Sequence, residues 1–375
     1  MSAQARTLFA DSAGLDTALP ADPDSVLSTQ YDCEMAANIL RVVMEYQRRA
    51  ADASCISHPC GSCITVHRGR LMRLVARNAP IDFVLPAFPA KSPNMSKVLG
   101  VTPDMAEQLS LAFLYAVCDR IRQIYRPGAR IIVCSDGRVF SDLVQISDSN
   151  ISRYQAELRT MIGNIGPGSL ELFNLDDEYM GYTHTAMRRM LMRQHGGDLD
   201  LLKQQIRAES DQLALYRGII KFLVEDADTP EYRGSRAALQ RECRERAYGV
   251  IQRSKAWGNL LAERFPDAVR LSIHPQPCGS AKLGIHLVGT SDNWLTPWHG
   301  AAVNISDRFV LMKRYQAEAM GAKLVYVDGR PSHYIASGST SCLVRSRSSR
   351  IPRAGHLRVL RDQDKGHEAT ASAPI

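Results

Sequence analysis

The 375-residue chain carries 46 Lys plus Arg against 39 Asp plus Glu, and 45% of its residues are hydrophobic. That balance excludes a chain disordered throughout and a small scaffold dependent on covalent staples, and the length admits one large domain or two ordinary ones. The net charge of +7 leaves nucleic acid or a small anionic substrate open as partners.

Residues 1–30 hold Arg6 against Asp11, Asp16, Asp22 and Asp24, whereas residues 343–375 are arginine-rich. Both ends are polar and weakly patterned, so 1–30 and 337–375 are expected to be solvated tails around a domain spanning 31–336. Their charges nearly cancel, which places the basic surplus in the core. The N-terminus lacks the basic start and apolar stretch of a signal peptide, and no apolar run is long enough for a membrane span. A cytosolic protein with reduced thiols is expected, the cysteines being nine in number and scattered.

In chain order, the first distinctive feature is Cys55-x4-Cys60-x2-Cys63, the spacing of three ligands in a plant-type iron–sulfur loop. Cys60-x2-Cys63-x3-His67 is also a partial zinc spacing. Each lacks a further ligand and no second CxxC pair follows, so free thiols packing a turn are expected and no metal is assigned.

The apolar run Ile81–Pro89 predicts a buried strand. A helix follows, with Thr102 as N-cap, Pro103 at the first helical position and Met105, Leu109, Phe113, Val117, Ile121 and Ile124 on one face. Arg126-Pro127-Gly128 stops it and Ile131–Cys134 predicts the next buried strand, giving a right-handed parallel crossover. Helical patterns cover about 186–224, broken at Gly196-Gly197, and about 235–264. Strands are expected at Arg270–Ile273, Gly284–Val288, Ala302–Ile305 and Lys323–Val327, the last after a short helix at Leu311–Met320. The fold class is α/β with a mostly parallel sheet, the helical middle (about 186–264) being an insertion or subdomain.

In open α/β sheets ligands bind beyond the carboxyl ends of the strands. The loop after the first strand brings Lys91, Ser92, Asn94 and Lys97 within eight residues, a set suited to phosphate or carboxylate, or else an ordinary solvated loop. After the second strand comes Asp136, a proton-moving or substrate-binding carboxylate or a turn-forming Asx residue, followed by Arg138. Parallel crossover strands are neighbours, so the two loops are expected side by side. The later strands add His274, Lys282, His299, Arg330 and His333, histidines at loop positions beside cations. Asp176-Asp177-Glu178 is best taken as a solvated acidic turn. Neither GxGxxG after a strand nor GxxxxGK[ST] is present, and the aromatic content of 7% offers no interleaving with basic runs. No cofactor, no nucleic acid and no membrane partner are therefore expected.

The blocks Pro80–Asn94, Lys97–Leu111 and Tyr125–Val144, followed in order by Arg270–Gln276, Lys282–Ile285, Trp294–His299, Leu311–Val325 and Asp328–Tyr334, resemble the isocyanide (isonitrile) synthase family, also called the pyoverdine/dityrosine biosynthesis family. The resemblance runs from about residue 31 to 336. It implies a modified Rossmann-like α/β fold and an enzyme that condenses an amino-acid amine with the ketone of ribulose 5-phosphate. The sugar then fragments, leaving one carbon on nitrogen as an isonitrile in secondary metabolism. It further implies a separate iron/2-oxoglutarate oxygenase acting downstream, since the chain has no room for a fused one.

Two alternatives stay open: formation of an N-formyl amino acid of the dityrosine type, and a non-catalytic sugar-phosphate or amino-acid binding protein. Deprotonating an amine and dehydrating a carbinolamine need acids and bases, and the two anionic substrate ends need cations. Asp136, His274, Lys282 and His299 are accordingly the candidate catalytic residues. Lys91, Ser92, Asn94, Lys97, Arg138, Arg330 and His333 are the candidate binding residues.

Overall fold

The computed structural model describes residues 23–50, 55, 59–288 and 295–336. Helices α1 (Pro23–Met44) and α2 (Gly61–Ala76) precede β1 (Ile81–Pro86), α3 (Met105–Ile124), β2 (Ala129–Ser135), α4 (Gly137–Val144), α5 (Asp148–Ile165) and β3 (Leu170–Asn174). A helical stretch follows: α6 (Leu175–Glu178), α7 (His184–His195), α8 (Leu199–Ala208), α9 (Ser210–Ala227) and α10 (Arg236–Arg264). The last part comprises β4 (Val269–Ser272), β5 (Leu283–Gly284), β6 (Ala301–Ile305), β7 (Arg308–Met312), α11 (Arg314–Ala319), β8 (Lys323–Val327) and β9 (Arg330–Ala336).

Strands β1 to β5 form one parallel sheet in the order β3-β2-β1-β4-β5. Its central strands are apolar on both faces because helices cover both. Ile81, Phe83 and Leu85 of β1, with Ile131 and Val133 of β2, pack against α1, α2, α3 and α5. The alternate residues Val84, Ile132 and Cys134 pack against α4, α7 and α10, where Trp257 stacks on Phe173. The chain leaves β1 towards β2 and β3, then returns to the other side of β1 as β4. The crevice beyond the carboxyl ends of β1 and β4 is thus the switch point of the sheet.

The α/β class and parallel sheet match the expectation, and the break at Gly196-Gly197 falls between α7 and α8. Helix α3 begins two residues later than expected. Asp104, not Thr102, is its N-cap: the Asp104 carboxylate accepts from the Ala106 N–H, and Glu107 accepts from the Asp104 N–H. Helix α1 begins at Pro23, inside the stretch read as a tail. The expected tail over 337–375, Cys342 and part of the Trp294–His299 block lie outside the described residues.

The sequence reading missed a second, mixed sheet in the order β7-β6-β9-β8. Two tight hairpins build it. Ser306 and Asp307 (φ 49° and 61°) join β6 to β7, and Asp328 and Gly329 (φ 49° and 75°) join β8 to β9. Paired left-handed residues give the turn twist that antiparallel neighbours require. Leu311 and Met312 consequently end a strand, and the helix expected from Leu311 starts at Arg314. The strand expected over Gly284–Val288 pairs with β4 only at Leu283–Gly284, and Ile285 adds an isolated bridge to Gln47. Among the described residues no helix is long and apolar enough to cross a membrane.

Candidate active site

The loops after β1 and β2 meet backbone to backbone. The Ser135 hydroxyl donates to the Phe88 carbonyl at 2.8 Å, and a Cβ added at Gly137 would lie 1.9 Å from the Pro89 carbonyl oxygen. Only glycine permits that approach. A third segment closes on the first: the Ser92 N–H donates to the Trp298 carbonyl at 2.8 Å, and the Phe88 and Trp298 rings lie 5.2 Å apart. Asp136, Lys91, Ser92 and His299 are in this way gathered at the switch point from three separate stretches.

Lys91 is completely buried and does not face solvent. Its ammonium forms ion pairs with Asp104 at 2.8 Å and Glu107 at 2.7 Å and donates to the Pro297 carbonyl at 3.1 Å. Burial raises the Glu107 carboxyl to about 8, Lys91 opposing and Asp104 adding to the rise. Tyr154 donates to Glu107 at 3.1 Å. Lys91 therefore braces the loop against the N-terminus of α3 instead of offering a free cation.

Ser92, Asn94 and Lys97 converge on the end of α9. The Ser92 hydroxyl donates to Asp226 at 2.8 Å, Lys97 pairs with the same carboxylate, and the Asn94 amide donates to the Glu225 carbonyl at 2.8 Å. Asp226 Oδ2 lies 3.4 Å from His299 Nε2, while His299 Nδ1 meets the Thr296 hydroxyl at 2.8 Å. Burial pushes the Asp226 carboxyl up, but His299 and Lys97 outweigh it and hold the group at about 2. For His299 burial wins over Asp226, and the imidazole is held below its ordinary value. The result is a neutral histidine with both ring nitrogens oriented beside a fixed carboxylate, an arrangement suited to proton relay.

Asp136 follows β2 and makes no ion pair among the described residues. Burial raises it to about 7, where a carboxylate serves as a base at neutral pH. It lies near enough to Tyr154 to push the phenol upward together with burial and Glu107.

His274 follows β4. Solvent reaches the residue, yet the packing around its ring lowers it to about 4, helped by the positive charges of Arg48 and Lys282. Burial and Arg270 likewise push the Lys282 amine down. Arg48, Lys282 and Arg270 thus make the surroundings of His274 electropositive. Gly284 holds them together: a Cβ there would lie 2.1 Å from the Arg48 carbonyl oxygen, which accepts from the Gln276 N–H at 3.1 Å.

Three expected residues stand elsewhere. Arg138 is buried in α4 and directed at Asp148 (3.1 Å), Asp176 (3.3 Å) and Ser152 (2.7 Å), so an anion would have to displace those partners. Asp176 is correspondingly part of an ion-pair cluster with Arg138 and His184. Arg330 and His333 belong to β9 of the mixed sheet. Arg330 pairs with Glu157 at 2.8 Å and borders a cavity of about 220 Å³ shared with Thr102, Asp104 and Arg153. His333 is buried beside Ser332 and Phe309.

Asp226, Glu107, Asp104 and Arg48 were not anticipated. The first lies on an insertion helix far along the chain from its partners, and a local pattern carries no trace of that pairing. The Asp104–Glu107 pair did carry a signal, the spacing of a capping box.

A family model described as pyoverdine/dityrosine biosynthesis protein matches residues 71–325. The L-tyrosine isonitrile synthase of Pseudomonas aeruginosa is 50% identical over 307 residues, covering 80% of this chain and 94% of the relative. The L-tryptophan isonitrile synthase AmbI2 of Fischerella ambigua is 44% identical over 301 residues, with 80% and 91% covered. The crystal structure of the PvcA protein of Pseudomonas aeruginosa superposes with a TM-score of 0.75 at 50% identity, covering 80% of this chain and 99% of that one.

Proposed function

The chain belongs to the pyoverdine/dityrosine biosynthesis family, and from that premise we propose that it is an amino-acid isonitrile synthase using ribulose 5-phosphate as carbon donor. The observation that supports this reading best is the convergence at the switch point of a carboxylate held near 7 and an oriented His–Asp pair, with the cations Arg48 and Lys282 acting on His274. Relatives named as tyrosine and tryptophan isonitrile synthases put an aromatic amino acid first among substrates.

Asp136 takes the proton from the substrate ammonium, freeing the amine to attack the ketone. His299, neutral and oriented by Asp226 and Thr296, takes the proton that the nitrogen sheds on bonding to the ketone carbon and gives it to the departing hydroxyl of the carbinolamine, which leaves as water. Lys282, in the field of Arg270, holds an anionic end of the substrates, and a bound anion raises His274 back towards protonation. Lys91 acts as a positioning residue. Lys97 and Ser92 keep Asp226 ionised and in place. The isonitrile is released for a separate iron/2-oxoglutarate oxygenase.

The test is incubation of the purified chain with ribulose 5-phosphate and a panel of amino acids, followed by tetrazine trapping and mass spectrometry. A trapped adduct with one aromatic amino acid is expected. A formylated product alone, or binding without turnover, would contradict the synthase reading.

A further inference from the structure

Away from the switch point, four thiols from two distant stretches meet at one place. Cys60 and Cys63 lie at the start of α2, Cys55 on the preceding segment, and Cys278 in the loop after β4. Their sulfur atoms all lie within 4.8 Å of one another. Individual separations are 3.8 Å for Cys55–Cys63, 3.6 Å for Cys60–Cys278 and 3.9 Å for Cys63–Cys278. A tetrahedral zinc site with Zn–S bonds of about 2.3 Å has sulfur–sulfur edges of about 3.8 Å. Free thiols packed for apolar contact have no reason to adopt six mutually short separations.

We propose that Cys55, Cys60, Cys63 and Cys278 form a structural tetrathiolate zinc site. His67, which the linear spacing suggested as a ligand, is not a member. Its place is taken by Cys278, which is 215 positions from Cys63. Binding converts four thiols to thiolates with release of their protons, and the resulting centre carries two negative charges. The surroundings suit that charge. The Gly279 N–H donates to Cys63 Sγ at 3.4 Å, the Gln47 amide donates to the same sulfur at 3.8 Å, and Arg49 reaches Cys55. Donors of this kind orient thiolate ligands and offset their charge.

All four positions are ligands, so no coordination site stays open for substrate or water, and the role is structural. Cys278 lies four residues after His274, and Gln47 and Arg49 flank Arg48. The zinc therefore fastens the β4 loop and the segment after α1 to the start of α2. That fixes the backbone around His274 and Arg48.

Elemental analysis of full-length, tag-free protein made in zinc-supplemented medium tests the assignment. About one zinc per chain is expected, retained through gel filtration and released in step with thiol modification by an organomercurial. Cobalt loaded in its place should give the intense visible bands of tetrahedral cobalt with sulfur-to-metal charge transfer in the near ultraviolet. Cys278→Ser should reduce zinc to under about a tenth of an equivalent, whereas Cys33→Ser, on α1 outside the cluster, should retain it. The titration uses unmodified protein, so it decides the matter even if Cys278→Ser fails to fold. Absence of zinc from the unmodified protein, iron in its place, or intact-mass loss of hydrogens by disulfide formation among the four would overturn the proposal.

Discussion

Gly137→Ala probes the contact on which the whole site rests. A methyl at this position would lie 1.9 Å from the Pro89 carbonyl oxygen and 2.7 Å from its carbon, both backbone atoms. Restoring an ordinary carbon–oxygen separation requires the loops to part by about 1.4 Å. Overpacking of this kind costs about 1–3 kcal/mol. The separation also strains the Ser135–Phe88 hydrogen bond of 2.8 Å and the longer Ala87–Cys134 one, worth about 1 kcal/mol each. A loss of about 2–5 kcal/mol in urea unfolding is therefore expected. The same shift moves Asp136 relative to Lys91 and His299, and a displacement near 1 Å costs roughly a hundred-fold in rate. Gly163→Ala, on an exposed part of α5 with nothing within 4 Å, is the control and should gain about 0.5–1 kcal/mol with normal turnover. Stability within about 0.5 kcal/mol of the parent and unchanged kcat/KM for Gly137→Ala would refute the close approach and the site built on it.

Ionisation of Asp136 and Glu107 should shape the pH dependence. Both carboxyls are raised in the folded chain, to about 7 and about 8. Between the ordinary carboxylate range and those values the native state holds protons that the unfolded chain has lost, so stability falls as pH rises through that window. Urea midpoints should show this decline, and Asp136→Asn with Glu107→Gln should flatten it. The kcat/KM profile should rise through about 7, and Asp136→Asn should remove that limb and lower kcat by about 10²–10⁴-fold. Lys91→Met leaves Asp104 buried without its cation and should cost about 3–5 kcal/mol. Adding Asp104→Asn, which preserves the N-cap, should recover part of that loss in thermal unfolding. Asp226→Asn strips Lys97 and His299 of their shared carboxylate. It should lower kcat by about 10²-fold or more and destabilise by about 3–5 kcal/mol, measured by steady-state kinetics and urea unfolding.

How far the sequence announced this structure depended on the range of each signal. The βαβ unit from Ile81 to Ser135 was legible because buried parallel strands are continuous apolar runs and the intervening helix repeats at three and four residues. The neighbouring positions of the Lys91 and Asp136 loops followed from that topology alone. The mixed sheet was not legible: Leu311–Met312 carries no period, and Asp328-Gly329 is a hairpin signal with no apolar alternation after it to announce β9. Charge state was equally hidden. Lys91 and Arg138 look like free cations in sequence, but Asp104, Glu107, Asp148 and Asp176 neutralise them in space. Asp226 supplies the converse lesson, since its partners Ser92, Lys97 and His299 come from elements 73 to 134 residues away.

The central claim is that the site joins an amino-acid nitrogen to the ketone carbon of ribulose 5-phosphate and keeps that carbon. The direct measurement uses ribulose 5-phosphate labelled with carbon-13 at the ketone, the purified chain and an aromatic amino acid, with the isonitrile trapped and its mass read. The account predicts one labelled carbon in the trapped adduct from the parent protein and a much weaker signal from Asp136→Asn. An unlabelled isonitrile, or no isonitrile with any amino acid tested, would contradict it.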